Sequence, residues 1–320
     1  MTAWWIAAAF LLVWIVAEAK TSRPDGTLCR VHPYRRVLAF ILPTRDASTV
    51  YFDSYVDAEA LLSYLDEAGP AFGANVTHAT VAAVATGLAE NPRMNRFTSG
   101  YRLYQRRGRW ITFSMKRKRM NKEAKVSAVK LEMRDDDTFR TLCERMGGHI
   151  EVERSNKKTY ADKEFQLFEL LPRPVFWIAV RALRLANYYN LLPASFIESD
   201  AMHTSVFVAN LGSLGMGAGY HHNYEWGTCP LFMMVGQIEE RVVPWNGEVA
   251  VRRTLHLRYT YDERIDDGLT ARFGIETVKR VLEDPRTFLG CLAEDGSDAR
   301  RLSEPTSEGP TVPVAGGATP

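Results

Sequence analysis

The chain opens on an unbroken apolar run, Ala3 to Ala17, ended by its first charged residue, Glu18. With its flanks the run approaches the lower limit of about 17 residues for a membrane-spanning helix. Ala17-Glu18-Ala19 also has the small-x-small form of a cleavage site, yet no basic residue precedes the run as in a secretory signal. Lys20, Arg23, Arg30, Arg35 and Arg36 follow it, and the positive-inside rule then places the downstream chain in the cytoplasm. The pattern predicts a transmembrane anchor at 1–19 holding a domain on the cytoplasmic side. A cleaved signal and a buried helix are the alternatives.

Residues 20–30 read as a Pro/Gly-containing linker. Beyond them, helical spacing marks Asp57 to Leu65, and Thr77 reads as the N-cap of a helix that presents Val81, Val84 and Leu88 and stops at Asn91-Pro92. Alternation predicts strands at Tyr101 to Gln105, Trp110 to Met115 and Val126 to Met133. Thr138 to Met146 is helical up to Gly147-Gly148, and Pro174 to Leu192 is a long apolar helix between prolines. Strands follow at Thr204 to Ala209, Leu231 to Val235 and Val251 to Tyr261. A last helix, Asp267 to Leu282, aligns Ala271, Ile275, Val278 and Leu282. This order predicts an α/β or α+β fold, a mixed sheet covered by helices, in one domain at 31–293. From Glu294 onward, Gly, Pro, Ser and Thr without apolar periodicity predict a disordered tail, 294–320.

Charge changes the picture little. The 40 basic and 38 acidic side chains nearly cancel, which removes the global electrostatic case for nucleic acid. Basic residues do cluster from Arg106 to Lys125, around Lys116-Arg117-Lys118-Arg119. A solvated strand end, an anionic-lipid or nucleic-acid patch, and a surface that steers an anionic cofactor are the readings open there. Cys29, Cys143, Cys229 and Cys291 are scattered without a Cys-x-x-Cys pair, a spacing that suits reduced thiols rather than a disulfide framework or a metal site.

Five segments, in order, carry a family resemblance. They are Arg35 to Ala39 with Val50 to Leu61; Thr77 to Glu90; Asn91-Pro92-Arg93-Met94-Asn95; Phe207 to Gly212; and Leu255 to Gly268, which ends in Asp262-Glu263-Arg264-Ile265-Asp266-Asp267-Gly268. Together they resemble the catalytic domain of the 2-oxoacid dehydrogenase acyltransferases, within the chloramphenicol acetyltransferase-like superfamily. The resemblance implies that two-layer fold, a homotrimer with its sites between subunits, and coenzyme A thioester as cosubstrate. In that family the histidine of His-x-x-x-Asp-Gly is the general base, the following aspartate organises the site through an arginine, and a Ser or Thr before Asn-Leu-Gly stabilises the oxyanion. Carried over, the base position is Glu263, the aspartate is Asp267 with Arg36 as its partner, and the oxyanion turn is Asn210, Gly212 and Ser213. The hydroxyl position is Ala209.

Both departures fall on the chemistry. An imidazole near pKa 6.5 cycles a proton at neutrality, whereas a carboxylate near 4.3 needs burial to raise it by about two units before it serves a thiol near 8.5. Replacing an oxyanion donor by a methyl costs about 3 kcal/mol of transition-state stabilisation. The turn Gly212 to Gly227 holds the adjacent His221 and His222, and is the second place for a base, with Tyr224 and Glu225 to orient it. Adjacent residues ordinarily point to opposite sides, so the two imidazoles are not expected to act together. The sequence thus predicts a CoA-dependent acyltransferase passing an acyl group to a thiol, hydroxyl or amine of a small or membrane-borne acceptor, with Glu263 or a nearby histidine as base. The alternative is a catalytically inactive trimeric binding or scaffold protein of the same fold.

Overall fold

A computed structural model describes residues 2–116, 126–155 and 171–304. The basic run from Arg117 onward and the last part of the predicted tail lie outside them.

Six strands build the central sheet: β2 (Thr49–Asp57), β5 (Arg109–Lys116), β6 (Val126–Met133), β7 (Val206–Asn210), β8 (Leu231–Trp245) and β9 (Glu248–Asp262), in the order β2-β9-β8-β7-β5-β6. β7 runs parallel to both β5 and β8, and the other pairs are antiparallel. One face presents Val56, Ile111, Val208, Met233 and Leu257, all buried in the main core. The helices α3 (Glu59–Phe72), α4 (Val76–Glu90), α5 (Phe139–Arg154) and α8 (Gly268–Glu283) supply the rest of that core. α4 is buried from His78 to Leu88, because its small residues admit close neighbours: a Cβ on Gly87 would stand 3.2 Å from Val278 of α8. A small sheet of β1 (Gly26–Leu28), β3 (Arg96–Ser99) and β4 (Arg102–Arg106) closes one end.

On the other sheet face, Phe207, Ala209, Phe232 and Met234 pack with Ala218 and Cys229 of the long 211–230 turn. That turn positions the candidate site.

Several local expectations shift. α4 is capped by Asn75, whose side chain accepts from the Thr77 and His78 amides, one turn-start earlier than Thr77. α5 passes through Gly147-Gly148 with Thr138 as its cap. The chain beyond Ala293 stays on the body up to Glu304, where Leu302 is 2% exposed and its amide donates to Asp137.

The apolar run forms α1 (Thr2–Ala19), exposed from Trp4 to Val16, with Glu18 half-buried and paired to Arg102. Eighteen residues rise about 27 Å against a hydrocarbon core of about 30 Å. Among the described residues no helix is long and apolar enough to cross a membrane, so the predicted transmembrane helix is not supported. Among the described residues the other α-helices are α2 (Pro33–Ile41), α6 (Arg173–Tyr188), α7 (Ala194–Ser199) and α9 (Pro285–Phe288).

Candidate active site

At the end of β9 a buried ion pair fixes the predicted motif. Asp262 accepts from Arg264 Nε at 2.8 Å and Nη2 at 2.7 Å, and from Ser48 Oγ at 2.8 Å. Glu263, between them, is partly exposed and anchored by its backbone amide on Ser48 O at 3.0 Å. Asp266 is buried within reach of Arg35 (3.2 Å), Arg93 (3.7 Å) and Arg96 (3.0 Å). Asp267 is exposed and caps α8, accepting from the Thr270 amide at 3.1 Å, a bond that leads in holding its carboxyl below the ordinary range. Its arginine is Arg35, at 4.0 Å, while Arg36 is exposed one position along α2. The predicted Asp267–Arg36 pairing therefore gives way to Arg35, which faces Asp266 first.

At the end of β7, Ala209 presents a buried methyl. Asn210 Nδ2 donates to Thr77 Oγ1 at 2.9 Å, tying the turn to the start of α4. Ser213 Oγ donates back to Asn210 O at 2.8 Å and its amide to Asn210 Oδ1 at 3.0 Å, so the hydroxyl of the predicted oxyanion turn is occupied within the turn. Gly212 is required by packing: a Cβ there would lie 2.2 Å from the Gly236 carbonyl oxygen, at the β8 bulge. Beside this turn opens a cleft of about 640 Å³, with Lys116 and Arg154 at its basic side and Val76, Phe113 and Leu211 among its apolar lining. His78 also lines it, 5% exposed, with neither ring nitrogen hydrogen-bonded; burial lowers its pKa to about 4. Its isolation among small residues of an apolar helix concealed it in the sequence.

The 211–230 turn is held at several points. Arg45 donates to the carbonyls of Tyr224 (3.0 Å) and Gly227 (2.7 Å), Arg106 to Thr228 O at 2.9 Å, and Arg258 to Ala218 O at 2.7 Å. Thr260 Oγ1 donates to His221 O. These bonds set His221 flat on Phe232, centroids 4.0 Å apart, and Phe232 in turn stacks on Phe207 at 4.5 Å. His222 lies parallel to His221 at 5.3 Å and 5°, with Tyr224 edge-on to both. The rings thus share one side, contrary to the expectation for adjacent residues.

His221 Nδ1 lies 2.7 Å from the His222 carbonyl oxygen. A carbonyl only accepts, so Nδ1 carries the hydrogen and Nε2 the lone pair in the neutral ring. Burial lowers the His221 pKa, opposed by that bond. His222 Nδ1 faces Asn223 O at 3.1 Å in the same manner. Glu225, expected to orient a histidine, instead accepts from the Asp46 amide at 3.0 Å. No hydrogen bond or ion pair among the described residues joins Glu263 to either imidazole.

Further along the same sheet face, Asp53 accepts from Arg258 Nε and lies against His256 Nε2, both at 2.7 Å, with Tyr55 stacked on His256 at 4.4 Å. Burial works against ionisation of Asp53, yet these two partners hold its pKa below the ordinary value. Only the register of β2 on β9, opposing Asp53 to Arg258, brings the group together.

With this geometry, the chain was compared with known proteins. Residues 196–290 match the profile of the 2-oxoacid dehydrogenases acyltransferase (catalytic domain) family. A 52-residue stretch is 42% identical to the dihydrolipoyllysine-residue succinyltransferase component of the mitochondrial 2-oxoglutarate dehydrogenase complex of Saccharomyces cerevisiae, covering 16% of this chain and 11% of that protein. A 55-residue stretch is 34% identical to the dihydrolipoyllysine-residue acetyltransferase component of the Bacillus subtilis pyruvate dehydrogenase complex, covering 17% and 12%. The matches thus span about a ninth of the curated relatives' length. Among solved structures, a probable dihydrolipoamide acetyltransferase from Listeria monocytogenes superposes with a TM-score of 0.54 at 16% identity, over 80% of this chain and 94% of that one. A truncated catalytic core of the 2-oxoacid dehydrogenase multienzyme complex from Thermoplasma acidophilum gives 0.51 at 18%, over 81% and 99%. At these identities the likeness is one of fold, and it agrees with the mixed sheet covered by helices predicted from the sequence.

Proposed function

We propose that the protein is a CoA-dependent acyltransferase in which His221 is the base. The observation that carries this reading is the 2.7 Å contact of His221 Nδ1 with the His222 carbonyl, which leaves Nε2 as a lone pair on a neutral, partly buried ring. His221 Nε2 takes the proton of a thiol, hydroxyl or amine as that group attacks the thioester carbonyl carbon. Collapse of the tetrahedral adduct breaks the C–S bond, and the departing CoA thiolate recovers the proton from Nε2. Glu263 is the weaker choice, because a partly exposed carboxylate lacks the burial that base catalysis requires of it. With a methyl at Ala209 and the Ser213 hydroxyl engaged, neither position gives the oxyanion a hydroxyl donor, so turnover is slow by roughly 10²-fold relative to a complete site.

The cleft beside Asn210 suits the cosubstrate: its apolar wall accepts a pantetheine arm, and Lys116 and Arg154 stand where phosphates need cations. The exposed apolar residues Val242, Trp245, Val249 and Val251 on the outer half of the β8–β9 hairpin support self-association, and a homotrimer is the assembly this reading adopts.

A second reading, a non-catalytic trimeric scaffold, is favoured by one observation, the occupied Ser213 hydroxyl beside Ala209. Thiol release from acetyl-CoA by the purified full chain, with a panel of thiols, amines and alcohols, decides between them. Turnover that falls 10²- to 10⁴-fold in His221→Gln supports the enzyme. A trimer without turnover supports the scaffold, and turnover unchanged in His221→Gln but lost in Glu263→Gln moves the base to Glu263.

A further inference from the structure

We propose that the cavity between α6 and the 224–227 segment is a binding site for an anionic amphiphile, a carboxylate or phosphate ester attached to an apolar chain. The cavity measures about 370 Å³ and is separate from the cleft beside Asn210.

Its floor holds a surplus of positive charge. Arg45 is 7% exposed, and its guanidinium donates to the carbonyl oxygens of Tyr224, Gly227 and Thr98. Carbonyls satisfy its hydrogen bonds without neutralising it, and among the described residues no carboxylate lies within 4.0 Å. Arg264 lines the same cavity, and both oxygens of Asp262 are turned to it. Two buried guanidinium groups therefore share one buried carboxylate, while Glu225 stands exposed at the rim and is engaged by the Asp46 amide. A buried cation without a counter-ion is costly, and an entering anion relieves that cost. Burial lowers the Arg45 pKa, with Asp262 opposing it and Arg264 adding to it, in agreement with this imbalance.

A second observation points to a ligand. His203 lines the cavity at 2% exposure, and neither ring nitrogen has a hydrogen-bond partner. Its Nδ1 is 3.5 Å from Asp200 Oδ2, longer than an ordinary hydrogen bond, and that oxygen also accepts from Trp226 Nε1. A buried imidazole with one long contact to a carboxylate, and with no hydrogen-bond partner for Nε2 among the described residues, is the kind of group that a bound molecule satisfies.

The mouth supplies the apolar half. Tyr101 stacks on Phe40 at 4.7 Å and meets Tyr188 edge-on at 5.9 Å, and Leu183 completes the wall. From this mouth the exposed Trp177 and Ile178 of α6 extend outward. Arg184, exposed at the rim, adds a second attraction for the anion on entry. A simple ion would leave the aromatic mouth unused, and an uncharged lipid would leave Arg45 uncompensated.

The test is calorimetric titration of the full chain with decanoate and decyl phosphate, against decanol and inorganic phosphate, all below micelle formation. One saturable site for decanoate, decyl phosphate or both, at least tenfold tighter than for decanol and inorganic phosphate, supports the site, and the tighter of the two names the head group. Arg184→Glu and Leu183→Glu, both at the rim, are expected to weaken it at least fivefold, and Arg45→Met to abolish the preference for charge. If Arg45→Met does not fold, the two rim variants carry the test. Equal affinity for decanol and decanoate, rim variants that bind as the wild type does, or binding that vanishes when residues 2–19 are removed each overturn it. The site does not depend on acyl transfer, so an inactive protein leaves it standing.

Discussion

Arg264 grips both carboxylate oxygens of Asp262, at 2.8 and 2.7 Å, across the single residue Glu263. Asp262 is fully buried and Arg264 nearly so, so removal of either partner strands a charge in the interior. Arg264→Met is expected to lower unfolding stability by about 3–5 kcal/mol, read from urea denaturation. Glu263→Gln, on a partly exposed residue, is expected to stay within about 0.5 kcal/mol. Equal losses in the two variants would show that the motif is not held by this pair.

The pH dependence of turnover follows from His221. A base acts when unprotonated, and burial sets the His221 pKa below the ordinary 6.5. Activity should therefore rise with pH through a midpoint below 6.5 and be level above neutrality. A kcat profile with its midpoint above 7 would exclude His221 as the group observed.

How much of this was legible in the sequence differs by element. The strand Val126–Met133 and the end of β9 were read at their true positions, since strict alternation and the Asp262–Gly268 motif are local signals. The extension of β8 beyond Val235 and the start of β9 before Val251 are not predicted, because the bulge between Val235 and Ile238 breaks the alternation and the β8 segment beyond it is largely exposed. Asn246-Gly247, with φ of 51° and 83°, is the hairpin turn signal that would have revealed them. α5 was cut short at two glycines that cost a helix only about 1 kcal/mol each and that tertiary packing overrides. At the site, spacing identified which residues stand near the motif but not their orientation. The choice of Arg35 over Arg36 is a matter of helix phase, and the parallel His221 and His222 rings depend on carbonyl contacts from Thr260 and Arg45 that no local pattern encodes.

Gly212 offers a test of the turn by packing alone. A methyl there would meet the Gly236 carbonyl oxygen at 2.2 Å and its carbon at 2.6 Å, both backbone atoms that cannot step aside. Gly212→Ala is expected to cost about 1–3 kcal/mol and, by displacing the turn that bears His221, to reduce turnover more than tenfold. Gly217→Ala meets nothing within 4 Å and should remain within about 0.5 kcal/mol with activity kept. Similar behaviour of the two alanines would mean that the turn is not anchored on the bulge.

His78 makes the protein sensitive to acid. Its pKa is about 4 in the folded chain, lowered by burial alone, against about 6.5 when unfolded. Between those values the unfolded chain binds the extra proton, so stability rises with pH across that window. The contribution is fully present above pH 6.5 and is lost as pH falls towards 4, reaching about 2–3 kcal/mol by pH 4.5. In His78→Leu that portion of the acid sensitivity disappears. At pH 7 the variant should be as stable as the wild type or slightly more so, because the ring nitrogens it removes are buried without hydrogen bonds. Urea unfolding at pH 7 and pH 4.5 checks both statements, the relevant quantity being the difference between the two proteins at each pH. A difference that does not change between the two pH values would place the His78 pKa near its ordinary value and the ring in contact with water.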